Sequence, residues 1–512
     1  MPLDRRHLLT ATVMAACAAK GLRSARASMP GSALSADERA HHALQRLAYG
    51  PTPQDAAALR ELGPDAWLAR WLQAQLQPEP TPLPEPLSHQ LADLEVLQLG
   101  QGELFTRFRE ATRQRRRNQR ESQRQNQREM AQSAASSPDT RPAVNPVREQ
   151  IRPLEQQAAT ARLLHAHGSP NQLAEVLTEF WFNHFNVYAG KGPVGVLVAD
   201  YEARAIRPHV LGRFRDLLGA TAKHPAMLLY LDNAQSVAPG FKPRGSDGEP
   251  RGLNENYARE LMELHTLGVD GGYTQRDVTE LARILTGWGL DARARGDEIF
   301  EFNARRHDAG TKTWLGETLR GRGQYEGEHA LDVLARHPAT ARFVSFKLAQ
   351  AFVADEPPPA LVQRLAERFT ETDGDLRELT RALIQSPEFW SREAFQAKFK
   401  TPYQHLLSSL RAVGAPMLPT PQALNLLQQA GQPLYGAVTP DGYKNTAAAW
   451  RNPEALTQRV QWATRLAQGR SADALLATLG PAISERTREA VRTEAPAAQA
   501  ALLLASPDFM KR

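Results

Sequence analysis

The sequence predicts a mainly α fold: a multi-helix bundle of two lobes, with long loops and little or no sheet. Three observations carry that expectation. The chain is rich in Ala, Leu, Arg and Gln and poor in alternating Val/Ile/Thr runs, which favours helix over strand. Helix-start signatures recur along it, as Ser35 with Glu38 and as Thr274 with Asp277. Its 512 residues, 42% hydrophobic and 23% charged, suffice for a large core of ordinary globular balance.

Residues 1–27 read as an address. Arg5-Arg6, an apolar run from Leu8 to Cys17 and the small-residue site Ala25-Arg26-Ala27 form a twin-arginine-type signal peptide. The expected location is therefore periplasmic or secreted. The apolar run is too short for a transmembrane helix, and no later stretch in the mature chain offers one. Cys17 is the only cysteine, so cleavage at Ala27 leaves no thiolate metal site or disulfide. The string Met14–Cys17 gives lipid anchoring at Cys17 as the lesser alternative.

Residues 28–100 form an N-terminal helical segment with breaks at Gly50-Pro51 and Gly63-Pro64. Residues 101–145 are an Arg/Gln-rich low-complexity insertion, and its stretch 107–128 carries nine Arg against two Glu. With a net charge of +6 for the whole chain, the remainder is close to neutral. The basicity thus belongs to one segment, read as a solvated helix or as an arm for an anionic partner, and no nucleic acid is expected after export. Residues 146–400 form the core helical domain, with a long helical stretch from about Pro153 to Tyr188 broken at Gly168-Ser169-Pro170. Val278, Leu281, Ala282 and Leu285 give a core stripe. Residues 401–512 form a C-terminal helical segment packed on the core, interrupted by the Gly/Pro/Tyr-rich loop 431–450. "LIQSPEFW" (383–390) and "LLASPDFM" (503–510) echo each other as helix-start punctuation.

Strings spread along this order, "RLAYGPTPQD", "EFWFNHFNV", "HPAMLLYLDN", "NENYARELMELHTLGVDGGYTQRDV", "HPATARFVSFKLAQAFV" and "GQPLYGAVTPDGY" among them, together resemble the bacterial family termed domain of unknown function 1800. The resemblance runs from about Ala36 to the C-terminus. It implies an exported, mainly helical protein, often encoded beside a second exported family that resembles sulfatases or alkaline phosphatases. It brings no reaction and no mapped active site. The Arg/Gln segment lies outside the pattern.

The residues nominate their own sites. In "GLNENYARELMELHTLGVDGGYT" (252–274), Asn254 can cap a helix and Gly268 can end it. Winding that helix at about 100° per residue puts Glu260 inside the stripe Tyr257, Leu261, Leu264 and Leu267, with Asn256 and Glu263 at its edge. His184 falls on an apolar face of "VLTEFWFNHFNVY", Arg207 stands before a helix-opening Pro208, and His307, Asp308 and Lys312 share a loop.

Three readings stay open. In the first, Glu260, Glu263 and His184 hold a divalent metal, although no established ligand motif is present. In the second, Glu260, Glu263, His307 and Asp308 are catalytic acids and bases, while Trp181, Asn183, Arg207, Asn256 and Lys312 bind substrate. Trp288, Tyr435, Tyr443 and Trp450 would then stack on sugar rings, making polysaccharide the natural substrate. In the third, Glu260 forms a buried ion pair with Arg207, Arg259 or Arg283, and His184 is a core histidine. The function expected is an enzyme or helper acting on envelope or extracellular polymers. The alternative is a scaffold or adaptor for an exported sulfatase- or phosphatase-like protein. An enzyme should converge His184, Glu260, His307 and Asp308 in one pocket, and a scaffold should scatter them.

Overall fold

The computed structural model describes residues 33–132, 146–242, 252–291 and 293–512. The expected signal peptide, Cys17 and residues 133–145 lie outside the described residues. The fold is mainly α, and its described strands are four short ones in two antiparallel hairpins. Trp288–Leu290 (β1) pairs with Phe300–Phe302 (β2), and Lys312–Trp314 (β3) with Glu317–Leu319 (β4). Part of the loop holding His307, Asp308 and Lys312 is thus a hairpin.

Helix punctuation follows the sequence closely. Ser35 with Glu38 and Thr274 with Asp277 form reciprocal capping boxes. Val278, Leu281, Ala282 and Leu285 are fully buried. Gly63 (φ +77°) separates the helices Pro53–Leu62 and Pro64–Leu76. His224 and His337 each precede a Pro and cap a helix, their Nδ1 atoms accepting the Ala226 and Ala339 N–H at 3.1 Å. The long helical stretch begins earlier than expected, as Pro146–Gly168 with Pro153 inside it. Helix Gln172–His184 follows.

The paired Ser-Pro strings end helices instead of starting them. The Ser386 hydroxyl donates to the Leu383 carbonyl at 2.7 Å and accepts the Phe389 N–H at 3.3 Å. Ser506 does the same with Leu503 and Phe509 at 2.8 and 3.1 Å. Each turn drives a buried Phe into the core.

One hydrophobic core takes side chains from Ala40 to Trp462. A second gathers C-terminal helices from Ala412 to Phe509. Among the described residues no helix is long and apolar enough to cross a membrane. The Arg/Gln segment lies in one helix, Gln101–Gln132. Leu104 and Ala111 bury its first turns, and residues 113–124 are exposed throughout.

The helix containing Glu260 departs from regular α geometry. It is α-helical over Asn256–Glu260 and a π-helix over Leu261–Thr266, where the Leu267 N–H reaches the Met262 carbonyl at 2.8 Å. Wider turns rotate each residue less than 100°, so burial recurs every four residues, at Tyr257/Ala258, Leu261/Met262 and His265/Thr266. Glu260 and Leu264 thereby leave the buried face and are only half-buried. Gly268 ends the segment at φ +81°, as expected.

Candidate functional site

Helix Gln172–His184 carries the polar groups around which the site is built. Gln172, Glu175, Glu179 and Asn183, with Asn186 just beyond, recur at three- and four-residue spacing and so line one face. This stripe crosses an otherwise apolar helix, and each member finds different work.

Glu175 belongs to a buried web of alternating charge. Arg207 pairs with Glu175 and, at 2.8 Å, with Glu202. Arg162 reaches Glu202 at 3.2 Å, and the Tyr435 hydroxyl donates to the same carboxylate at 3.1 Å. The Arg162 guanidinium also lies over the rings of Phe182, Tyr403 and Tyr435, at 4.9, 5.3 and 5.2 Å. Two cations and two anions balance, the condition under which buried charge is tolerated.

Asn183 and Asn186 clamp the loop 431–450. Asn183 Nδ2 donates to the Tyr443 carbonyl, and Asn186 Nδ2 donates to the carbonyls of Ala437 and Thr439 at 3.1 and 2.9 Å. Gly442 (φ +67°) passes so close that a Cβ there would sit 2.4 Å from the Asn183 carbonyl oxygen. Only glycine fits this approach.

Glu179 stands between the web and the clamp, on the wall of a cavity of about 80 Å³. Such a space admits a few waters or one polar group of a ligand. Arg162, Tyr403, Gln404, Tyr443 and Arg512 face the same cavity. Burial raises the Glu179 carboxyl above its ordinary range, and neither the charges of Arg512 and Arg162 nor the hydrogen bond from Gln404, at 3.2 Å, cancels this. The Tyr403 hydroxyl, on a side chain 2% exposed, and Arg512 Nε have no hydrogen-bond partner among the described residues. The cavity is therefore lined by a carboxyl raised above its ordinary range, with an unsatisfied hydroxyl and an unsatisfied guanidinium nitrogen buried in its walls.

Of the residues nominated by sequence, Asn183 lines this cavity, with its amide committed to the loop. Trp181 is a core residue, 1% exposed. Arg207 serves the ion web. Trp288, Tyr435 and Trp450 are buried, which leaves Tyr443 the half-buried one of the four proposed sugar platforms.

His184 is 5% exposed, and its Nε2 meets the His265 carbonyl at 3.0 Å, as a core histidine would. Burial pushes it well below its ordinary pKa. Glu260 has no ion pair among the described residues, because Arg207, Arg259 and Arg283 pair elsewhere, Arg259 with Glu255 and Arg283 with Glu280 and Asp308. Burial and the charges of Glu263 and Asp441 raise its carboxyl, against a weaker pull from Arg259. Asn256 is exposed, and its N–H meets Asn254 Oδ1 at 2.9 Å.

His307, Asp308 and Lys312 form a separate knot. Lys312 is fully buried and donates to Glu326 at 2.6 Å and to the Asp308 carbonyl. His307 donates Nδ1–H to the Thr286 carbonyl at 2.8 Å, and its Nε2 faces Lys312 Nζ at 3.4 Å. A fully buried Lys312 cannot meet substrate, and the knot ties the hairpin to helix Gln324–Arg336. His184, Glu260 and the His307–Asp308 pair thus have different neighbours, and none of the four lines the cavity around Glu179. Among the described residues no three His, Asp or Glu side chains converge as a metal-binding group, so His184, Glu260 and Glu263 are not brought together as one.

Fold and site together define a mainly helical protein that encloses a small polar cavity beneath a clamped loop. The chain matches the family model described as "Protein of unknown function (DUF1800)" over residues 42–511 and belongs to that family. No curated protein and no solved structure matches it.

Proposed function

We propose that this chain works outside the cytoplasm as an enzyme or helper acting on envelope or extracellular polymers, with the Glu179 cavity as its working site. One observation carries the reading. Glu175, Glu202, Arg207, Asn183 and Asn186 are consumed by protein partners, whereas Glu179 stays without an ion pair beside the unsatisfied Tyr403 hydroxyl. A carboxyl whose hold on its proton is raised by burial is suited to donate one, and Arg162 and Arg512 favour negative charge developing beside it. Export is part of the proposal: replacing Arg5 and Arg6 by Lys should keep the precursor in the cytoplasm.

The test is a thermal-shift panel of neutral and acidic sugars, run on the mature protein and on Glu179→Gln. At least one sugar should raise the melting temperature of the wild type and leave the variant unmoved. No response from the wild type, or equal responses from both, contradicts the reading. The separation of His184 and Glu260 from each other's contacts and from the His307–Asp308 knot favours the second reading, a helical adaptor for an exported sulfatase- or phosphatase-like protein, and equal responses would strengthen it.

A further inference from the structure

The Arg/Gln helix is rooted in the fold. The Gln101 and Gly102 N–H groups bond the Asp297 and Gly296 carbonyls at 3.3 and 3.1 Å, and Gln101 Oε1 accepts the Ile299 N–H at 3.1 Å. A Cβ on Gly100 or Gly102 would strike this loop at 2.6 Å, so the two segments meet backbone to backbone. The contact brings Arg293 and Arg295 beside Arg109 and Arg113 around a cleft of about 170 Å³, with Glu110 the acidic member of its lining.

From that cleft the positive charge continues outward. At about 100° per residue, Arg109, Arg113, Arg116, Arg117, Arg120 and Arg124 fall within an arc of about 100°, a stripe about 22 Å long. Arg113, Arg116, Arg117, Arg120 and Arg124 are exposed and have no ion pair among the described residues. Like charges three and four residues apart repel, and the fold supplies too little acid here to offset them. Residues 113–124 contain no apolar side chain, so this face has nothing to bury in a bilayer. By the same winding Gln123 and Gln119 flank the stripe and supply amides suited to polyol hydrogen bonding.

We infer that the cleft and the stripe form a docking track for a linear acidic polysaccharide, whose carboxylates or sulfates the guanidinium forks pair in succession. The choice of a polysaccharide over other polyanions rests on the reading that the chain acts on extracellular polymers.

The experiment is calorimetric titration of the mature protein with polygalacturonate and with dextran sulfate, at low and high salt, with neutral dextran as control. The expected result is salt-sensitive binding of at least one acidic polymer and none of dextran. Replacing Arg113, Arg117, Arg120 and Arg124 together by Gln, which keeps helix propensity, should weaken it at least tenfold with an unchanged circular-dichroism spectrum. Glu179→Gln should bind as the wild type does, so failure of the cavity proposal leaves this result untouched. Equal binding by the Arg variant, no binding by the wild type, or tighter binding to phosphatidylglycerol vesicles or duplex DNA would overturn the inference.

Discussion

Asn183 holds Tyr443 by both ends of its amide: Nδ2 donates to the Tyr443 carbonyl at 2.9 Å, and Oδ1 accepts the Tyr443 N–H at 2.7 Å. A side chain thereby mimics a strand partner and seats the loop against the cavity. The Tyr443 hydroxyl, donating to the Pro433 carbonyl at 2.7 Å, closes the loop on itself. Asn183→Ala removes both clamp bonds and should destabilise the protein by about 2 kcal/mol. Limited proteolysis within 431–450 should become faster. Urea unfolding checks the first expectation, and an unchanged midpoint would show that the loop is held by other contacts.

The Lys312 knot should prove structural. Burial alone would raise the Glu326 carboxyl, but hydrogen bonds from Lys312 and the Arg322 N–H bring it below the ordinary range. Lys312→Met leaves Glu326 buried and uncompensated, at a cost of about 3–5 kcal/mol. The double variant Lys312→Met/Glu326→Leu should recover much of that loss, as measured by chemical denaturation. A full loss in the double variant would mean that the knot contributes more than charge pairing.

Local chemistry was legible in the sequence, and geometry that depends on distant partners was not. Ser35, Thr274 and Gly268 announce helix ends through bonds within their own turns, and Val278 to Leu285 repeat with the α-helical period. The π-turn at Leu261–Thr266 escapes any argument built on 3.6 residues, so Glu260 lies off the buried face that a regular helix would give it. Glu326 lies in a different helix from the loop it anchors, and its role needs the tertiary fold. Within "EFWFNHFNV" alone nothing marks Glu179. Its signal was the polar stripe Gln172, Glu175, Glu179, Asn183 and Asn186 on an apolar helix, visible once the five are wound together.

Glu260 should behave as a site of mild repulsion. Its carboxyl is raised, so the folded state holds the proton more tightly than the unfolded chain does. Its contribution is therefore most favourable below the ordinary glutamate pKa and declines as pH rises through the raised folded value. Glu260→Gln should consequently melt at an equal or higher temperature than the wild type at neutral pH, with the difference shrinking on acidification. A melting temperature lowered by several degrees would place Glu260 in an ion pair after all.

The most direct measurement is the titration of Glu179 itself. In protein labelled with carboxyl-13C glutamate, the resonance missing from the Glu179→Gln spectrum identifies the group, and its shift against pH gives the pKa. A midpoint clearly above the ordinary glutamate range is predicted, because burial outweighs Arg512 and Arg162. A midpoint at or below that range would make Glu179 one more paired carboxylate of the structural web and contradict the assignment of the cavity as the working site.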